Sequence, residues 1–448
     1  MITSDAFRGK RYVVLGLARS GMATVEALLA SGADVTAWDR RPGPREALAA
    51  RATIADPLEI QLAGFDGVVV SPGVPLNTHP IAERARAAGV PLIGDIELFA
   101  QARAGLPPHK VVGITGTNGK STTTALIHHI LQTAGVPTTM GGNIGLPILG
   151  QDPLPGGGVY VLELSSYQID LTHTLDCDIA ILLNITPDHL DRYENFEGYA
   201  ASKARLLKMQ SRDHLCIVSR DSPASFNIYQ DLRDHRPRGN VLSTTQDDVA
   251  DQSAWPTLKG PHNAENVAAA KAACKNLRLT DQQTERGLRS YPGLPHRMER
   301  IGEHIGVLFV NDSKATNPTA TAPALAAFPR VHWIVGGLPK SDDLDECAPH
   351  FGHVVAAYTI GEAGPHFADI LEPHMPVERC EMLCEATKRA IAAAKPGDTV
   401  LLSPACASFD QFRDYETRGD VFRKIVAKLT GQPAAAAELC EFSARSAA

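Results

Sequence analysis

The sequence has no Cys-x-x-Cys pair. Its eight cysteines, Cys177, Cys216, Cys274, Cys347, Cys380, Cys384, Cys406 and Cys440, are scattered. That spacing excludes a zinc ribbon or a dense disulfide framework and fits reduced thiols in a cytoplasmic protein. No apolar run approaches the roughly 18 residues of a membrane-spanning helix. The short apolar stretch 12–17 meets Arg19 too soon for a secretory signal. Positive charge is not in excess either. Lys and Arg total 43 against 50 Asp and Glu, a formal net charge of −7. General attraction to nucleic acid or to an anionic membrane is thereby excluded, which leaves room only for local basic pockets. Short repeats of the solenoid type are also absent.

What remains is an ordinary globular composition, 44% hydrophobic and 21% charged, which rules out wholesale disorder. At roughly 150 residues per domain, 448 residues suggest about three domains. The first 95 residues alternate strands and helices. Apolar runs at 12–15, 35–38 and 68–70 each end in a Gly, Asp or Ser turn, and 22–31 carries helical periodicity. This is the pattern of a βαβ-type parallel sheet with its loops at the carboxyl ends of the strands. After Pro107-Pro108 a second series begins, with strands at 110–115, 159–164, 179–184 and 215–219 and helices at 122–134 and 262–273. A third follows the turn at 291–295, with strands at 307–310, 331–335, 354–360 and 399–402. From about Gln432 the periodicity stops, and 433–448 reads as a frayed tail.

The strongest local signal is Gly113-Ile114-Thr115-Gly116-Thr117-Asn118-Gly119-Lys120-Ser121. A strand, this turn and a helix make a phosphate-binding loop. Backbone N–H groups cradle an anion, Lys120 meets the outer phosphates and the Ser121 hydroxyl suits Mg²⁺. The motif departs from the generic one in having Ile114 where the first glycine belongs. Binding of ATP or GTP is expected. The turn Gly16 to Gly21 is weaker, with Ala18 in place of the middle glycine of a dinucleotide fingerprint. Asp39 lies where an acid would meet a ribose hydroxyl. That turn fits a nucleotide or nucleotide-sugar site, and equally plain βα packing.

Glu163 ends an apolar strand beside the loop and is placed to hold Mg²⁺. Asp188, His189 and Asp191 concentrate in another strand-end loop, and Lys203 sits on the helix that follows. The loops 311–318, 336–340 and 403–412 hold Asp312, Lys314, Thr316, Lys340 and Ser408, a set able to neutralise and orient an anionic amino acid. Cys406, among small residues without a nearby histidine, reads as a packing thiol.

Together, Thr115-Gly116-Thr117-Asn118-Gly119-Lys120-Ser121-Thr122, Gly141-Gly142-Asn143-Ile144-Gly145, Leu162-Glu163-Leu164-Ser165-Ser166-Tyr167-Gln168, Asp188-His189-Leu190-Asp191-Arg192-Tyr193, Asn311-Asp312-Ser313-Lys314-Ala315-Thr316-Asn317 and Ser403-Pro404-Ala405-Cys406-Ala407-Ser408 resemble the motifs of the Mur ligase family. Its members assemble the peptide of peptidoglycan. The motifs run in order through nearly the whole chain. The Asp-Asn-Pro-Arg motif of the lysine- or diaminopimelate-adding relative is absent.

The resemblance implies an α/β fold of three domains. A Rossmann-like N-terminal domain (1–95) would bind the UDP substrate, and a central P-loop domain with a mainly parallel sheet (96–295) would bind ATP. A C-terminal Rossmann-like α/β domain (296–432) would bind the amino acid. The implied activity is ATP-dependent addition of D-glutamate to UDP-N-acetylmuramoyl-L-alanine through an acyl phosphate and a tetrahedral intermediate, by a cytoplasmic monomer. It further implies that the ATP loop and the amino-acid pocket meet by domain closure.

By resemblance, Gly116, Thr117, Asn118, Gly119, Lys120, Ser121 and Thr122 cradle the triphosphate. Two Mg²⁺ or Mn²⁺ sites would use Ser121, Glu163, His189 and a carbamylated Lys203, with Ser165 beside Glu163. Asn143 would contact substrate and phosphate, and Asn263 and Asn266 the adenine side. Arg297 and Asp312 would close on the nucleotide. Lys314, Thr316, Lys340, Ser408, Phe409 and Tyr415 resemble the D-glutamate pocket, while Leu17, Asp39 and Gly73 resemble the uracil and diphosphate region. Four features depart from the family pattern. Arg40 follows Asp39 where a hydroxyl residue is expected, Phe409 and Tyr415 replace Leu and Phe, and the loop 338–341 is atypical. Without the resemblance, a nicotinamide-dependent oxidoreductase using Gly16 and Asp39, or a non-catalytic nucleotide-sensing switch, remains open.

Overall fold

The computed structural model describes residues 1–188 and 192–431. His189, Asp191 and the tail expected at 433–448 lie outside the described residues. The chain forms two compact units, Met1–Tyr291 and the part from Pro292 onward.

The first unit contains two sheets. Strands β1 (Arg11–Leu15), β2 (Asp34–Trp38), β3 (Thr53–Ile54), β4 (Gly67–Val70) and β5 (Leu92–Ile93) pair in parallel in the order β3-β2-β1-β4-β5. Strands β6 (His109–Thr115), β7 (Thr138–Gly142), β8 (Gly158–Glu163), β9 (Ile179–Leu182), β10 (Leu215–Ser219) and β11 (Val241–Thr244) form a second parallel sheet, ordered β11-β10-β9-β6-β8-β7. Central strands such as β6 and β8 are apolar on both faces because helices cover both sides of a parallel sheet. One core runs from Val14 and Val35 through Ile96 and Phe99 to Tyr160, Leu162 and Leu182. The joint between the two sheets is the helix Asp95–Ala102. Its Glu97 carboxylate accepts hydrogen bonds from the backbone N–H groups of His173 (2.7 Å) and Thr174 (2.9 Å) and from the Thr174 hydroxyl (2.7 Å).

In the second unit, β12 (Glu299–His304), β13 (Val307–Asn311), β14 (Val331–Gly336), β15 (Val354–Ile360), β16 (Val377–Glu381) and β17 (Thr399–Leu402) order as β12-β13-β17-β14-β15-β16. All neighbours are parallel except the hairpin β12–β13. Its two-residue turn, Ile305-Gly306, has φ of 50° and 72°, the sign that right-twisted strands require of a tight turn. Ile305 therefore holds an uncommon conformation for a β-branched residue.

In the first two sheets the chain reverses its direction of strand addition beside a central strand, and in the third β17 inserts between β13 and β14. Parallel α/β sheets open a crevice at such points, outside the carboxyl ends of the strands. Many of the described candidate residues lie on strand-end loops, and Lys203, Asn263 and Asn266 lie on helices.

Candidate functional site

In the first sheet the crevice lies between β1 and β4. The Ser71 hydroxyl donates to the Gly16 carbonyl (2.8 Å), which ties the two strand-end loops together. Asp39, after β2, accepts from the Leu17 N–H (2.7 Å) and from the backbone N–H (2.9 Å) and Nε (3.1 Å) of Arg41. Partial burial pushes the Asp39 carboxyl up, but the Arg41 and Leu17 hydrogen bonds outweigh it and bring the group down to about 2. Leu17 and Asp39 are thus joined directly, with Gly73 exposed on the adjoining loop. The cation that answers Asp39 is Arg41, to which sequence reasoning gave no role.

In the second sheet, register sets the site. Ile114 of β6 pairs with Glu163 of β8, and Glu163 with Gly142 of β7. The ends of three strands therefore lie level. The phosphate loop leaves β6 and enters the helix Lys120–Thr133 through Gly119, whose φ of 82° favours glycine. A Cβ there would also run into Asn266 Oδ1. Ser121 and Thr122 follow in the first helical turn. The Lys120 ammonium donates to the carbonyls of Gly116 (2.8 Å) and Thr117 (2.6 Å), and Lys203 Nζ reaches the same Gly116 carbonyl (2.8 Å). Lys203 is buried, with its Nζ 4.5 Å from the centre of the Tyr199 ring. Burial first, and the Lys120 charge second, bring its ammonium down to about 7.

Glu163 is buried. Its Oε1 accepts from Asn143 Nδ2 (2.9 Å), while Oε2 has no protein partner. A buried carboxylate oxygen left over in this way fits a hard divalent cation. Ser165 caps the helix Ser166–Asp170 in a reciprocal box with Gln168. Asn266 accepts from the Thr123 hydroxyl (3.1 Å) and donates to Asn263 (3.2 Å), so the helix Pro261–Asn276 touches the loop helix directly. Sequence reasoning assigned no role to Asn184 or Glu265. The Asn184 side chain sits between the Asn118 N–H (2.9 Å to Oδ1) and Glu265 (2.9 Å from Nδ2). The only available signal was the place of Asn184 at the start of the His189 loop.

The second unit gathers its loops around β13, β17 and β14. Asp312 is buried, accepting from the Met298 N–H (3.0 Å) and the Ser403 hydroxyl (2.8 Å). Burial drives its carboxyl up to about 7 against those bonds and the Arg297 charge. Lys314 Nζ lies 5.5 Å from the Tyr415 ring centre, and Lys340 donates to the Thr316 hydroxyl (3.3 Å). Leu338 and Ala407 exchange backbone hydrogen bonds, joining the 336–340 and 403–412 loops. Ser408 is buried and Phe409 exposed.

The fastener is Arg418, which sequence reading missed because a helical arginine reads as a solvated one. Its guanidinium is buried and donates to Ser313 Oγ (3.0 Å) and to the carbonyls of Ser313 (2.8 Å), Cys406 (3.0 Å) and Ala407 (3.2 Å). Burial lowers it to about 10. Cys406 is buried, and desolvation pushes its thiol up to about 12, as a packing residue requires.

A phosphate loop with a level carboxylate, and a separate unit whose strand-end loops carry lysines and hydroxyls, define a nucleotide-dependent ligase architecture. Family models match in sequence order: the Mur ligase MurD-like N-terminal domain at 10–94, the Mur ligase middle domain at 114–257 and the Mur ligase glutamate ligase domain at 296–406. The chain belongs to the Mur ligase family. Among its relatives is the UDP-N-acetylmuramoylalanine–D-glutamate ligase of Novosphingobium aromaticivorans, 65% identical over 96% of this chain and 97% of that protein. Ligases of the same name from Sphingopyxis alaskensis and Zymomonas mobilis are 60% and 55% identical, each over 96% of this chain and 100% of theirs. The MurF ligase of Thermotoga maritima in complex with ADP has the same fold, with a TM-score of 0.58 at 18% identity over 94% of this chain and 96% of that one.

Proposed function

We propose that this chain joins D-glutamate to UDP-N-acetylmuramoyl-L-alanine in peptidoglycan precursor synthesis, consuming ATP and releasing ADP and phosphate. The observation that carries the reading is the 65% identity, over 96% of the chain, to a ligase of that name. The residues support a division of labour. Residues 1–95 bind the UDP substrate around Leu17, Asp39 and Gly73, 96–295 bind ATP on the phosphate loop, and 296–432 bind D-glutamate. The enzyme acts as a cytoplasmic monomer. Among the described residues no helix is long and apolar enough to cross a membrane.

The chemistry follows from the difficulty of the bond. A carboxylate is a poor electrophile, so its oxygen first attacks the γ-phosphorus of ATP. A P–O bond forms, the bond to ADP breaks, and an acyl phosphate results. The amine of D-glutamate then attacks the acyl carbon. A tetrahedral intermediate forms, the nitrogen gives up a proton to solvent, and phosphate departs with the former carboxylate oxygen to leave the amide. Both steps move negative charge, so cations and N–H donors must surround the reacting oxygens.

Lys120 and the first turn of the helix Lys120–Thr133 bind the triphosphate. Asn143 holds Glu163 in place and would contact the substrate and the transferred phosphate. Ser121, Glu163, His189 and Lys203 would hold Mg²⁺ at two sites, and the bound metal would supply charge neutralisation there. Lys203 suits this role as a carbamate. Lowered to about 7, its amine is substantially neutral at physiological pH and attacks CO₂. The N–C bond forms, nitrogen loses a proton, and an anionic oxygen ligand replaces a cation. Lys314, Thr316, Lys340 and Ser408 position D-glutamate, flanked by Phe409 and Tyr415. Asn263, Asn266, Arg297 and Asp312 bind the nucleotide.

The test is phosphate release from ATP with UDP-N-acetylmuramoyl-L-alanine and, in separate reactions, D-glutamate, L-glutamate, L-lysine or D-alanine. Release with D-glutamate alone is expected. Release with L-lysine and not D-glutamate would overturn the substrate assignment.

A further inference from the structure

Glu265 lies on the helix Pro261–Asn276, one residue before Asn266, and is buried. Its Oε2 accepts from Asn184 Nδ2 (2.9 Å). Asn184 in turn accepts twice from the loop: its backbone carbonyl from the Thr117 N–H (2.8 Å) and its Oδ1 from the Asn118 N–H (2.9 Å). A carboxamide has one accepting and one donating end, and here both neighbours dictate which is which. A carboxylate accepts only, and a backbone N–H donates only. Flipping the Asn184 side chain would set Oδ1 against the Glu265 carboxylate and Nδ2 against the Asn118 N–H, two repulsive contacts in place of two hydrogen bonds. With the Thr117 and Asn118 amides committed to Asn184, the loop presents the first turn of the helix Lys120–Thr133 to an anion, the end favoured by the helix dipole.

We infer that Glu265 is a positioning residue for the nucleotide, which it serves by locking the Asn184 carboxamide in the one orientation that holds the Thr117–Asn118 stretch of the phosphate loop. This rests on the reading that the loop binds ATP. Its force is polarity, which can be exchanged: the arrangement needs one acceptor-only partner and one amide, and their positions can be swapped. In Glu265→Gln position 265 can donate as well as accept, so the Asn118 N–H alone is left to set the orientation of Asn184. In Asn184→Asp two carboxylates face each other. In the double variant the carboxamide now at position 265 donates to the carboxylate now at position 184, which still accepts from the Asn118 N–H.

The experiment measures ADP binding to the full chain by titration calorimetry, in the absence of the other substrates. E265Q and N184D are each expected to weaken binding by about tenfold, the scale of one lost hydrogen bond. The E265Q/N184D chain is expected to return to within about threefold of the wild type, with the KM for D-glutamate unmoved in all three. Wild-type affinity in E265Q, or a double variant no better than the weaker single, overturns the inference. A packing role for Glu265 would give no reciprocal rescue. If E265Q alone does not fold, a folded and ADP-binding double variant supports the inference, and a double variant that also fails to fold overturns it. Absence of ADP binding by the wild type would instead overturn the ATP reading itself.

Discussion

Lys203 and Lys120 share the Gly116 carbonyl, an arrangement that repels two ammonium groups and suits one ammonium beside a modified lysine. Lys203→Ala is expected to lower the ligase turnover by at least about a hundredfold, on the scale of losing a group that supports transition-state charge. Short carboxylates such as formate or acetate should recover part of it. A fully active K203A would sink the carbamate role. Asp95 offers a stability test. It is buried, with Oδ1 accepting from the Ile96 N–H (3.0 Å) and Oδ2 unpartnered, and desolvation raises its carboxyl from 3.8 to about 6. A raised folded-state carboxyl costs nothing while both states are protonated. The cost grows as pH climbs from about 3.8 to 6 and is constant above. Asp95→Asn should therefore stabilise the chain by about 3 kcal/mol at pH 8, falling towards zero near pH 4. Denaturant unfolding at both pH values decides, and an equal gain at each would refute the assignment. Lys120 and Glu163 stood out as candidates because motif chemistry marks them, and Lys203 only through the family resemblance. Glu265 and Arg418 did not, because the Asn184 partner of Glu265 and the Ser313 partner of Arg418 lie 81 and 105 positions away in sequence. Arg41 escaped because two adjacent arginines look alike until the chain turns one of them onto Asp39.

At the scale of elements, the phosphate loop works because Gly119 lets Asn266 approach the start of the loop helix. Gly119→Ala combines a strained φ with a collision against Asn266 Oδ1 and should raise the KM for ATP by about a hundredfold or more, with the KM for D-glutamate little changed. Steady-state kinetics with each substrate varied would show it, and equal rises in both would point to general unfolding. The central strands could be read from sequence because burial on both faces leaves an apolar run, as in Val68-Val69-Val70 or β8. Edge strands escaped. Thr-Thr-Met-Gly-Gly of β7 and Val-Glu-Arg-Cys-Glu of β16 are only partly buried and carry no such run. The helix Pro223–His235 escaped for a related reason, since Ser225 and Leu232 are its only buried residues.

For the whole molecule, the division at Tyr291/Pro292 gives each unit its own apolar core. Calorimetry should resolve two unfolding transitions. Arg418→Ala removes the donor to three buried carbonyls and should destabilise the second unit by about 3 kcal/mol. One transition is then expected to fall by several degrees while the other moves little. A single transition that shifts as a whole would refute independent units. The three sheets, their strand-end loops and the order of the motifs could all be anticipated from sequence. The shared core of the first two sheets could not, because it depends on the Asp95–Ala102 helix and the Glu97 bonds to His173 and Thr174, which no local pattern announces.

The position of β17 bears on how the chain is made. Among the described residues it is the last strand in sequence, yet it lies between β13 and β14 in the third sheet. That sheet stays open at its centre until residues 399–402 have left the ribosome, so a nascent chain exposes two unpaired inner edges for most of the synthesis of the second unit. The first unit carries no such debt to distant sequence, since it is complete by Tyr291 and can fold while translation continues. Chains released early, before Thr399, should thus keep a folded amino-terminal part and leave the remainder to chaperones and proteases.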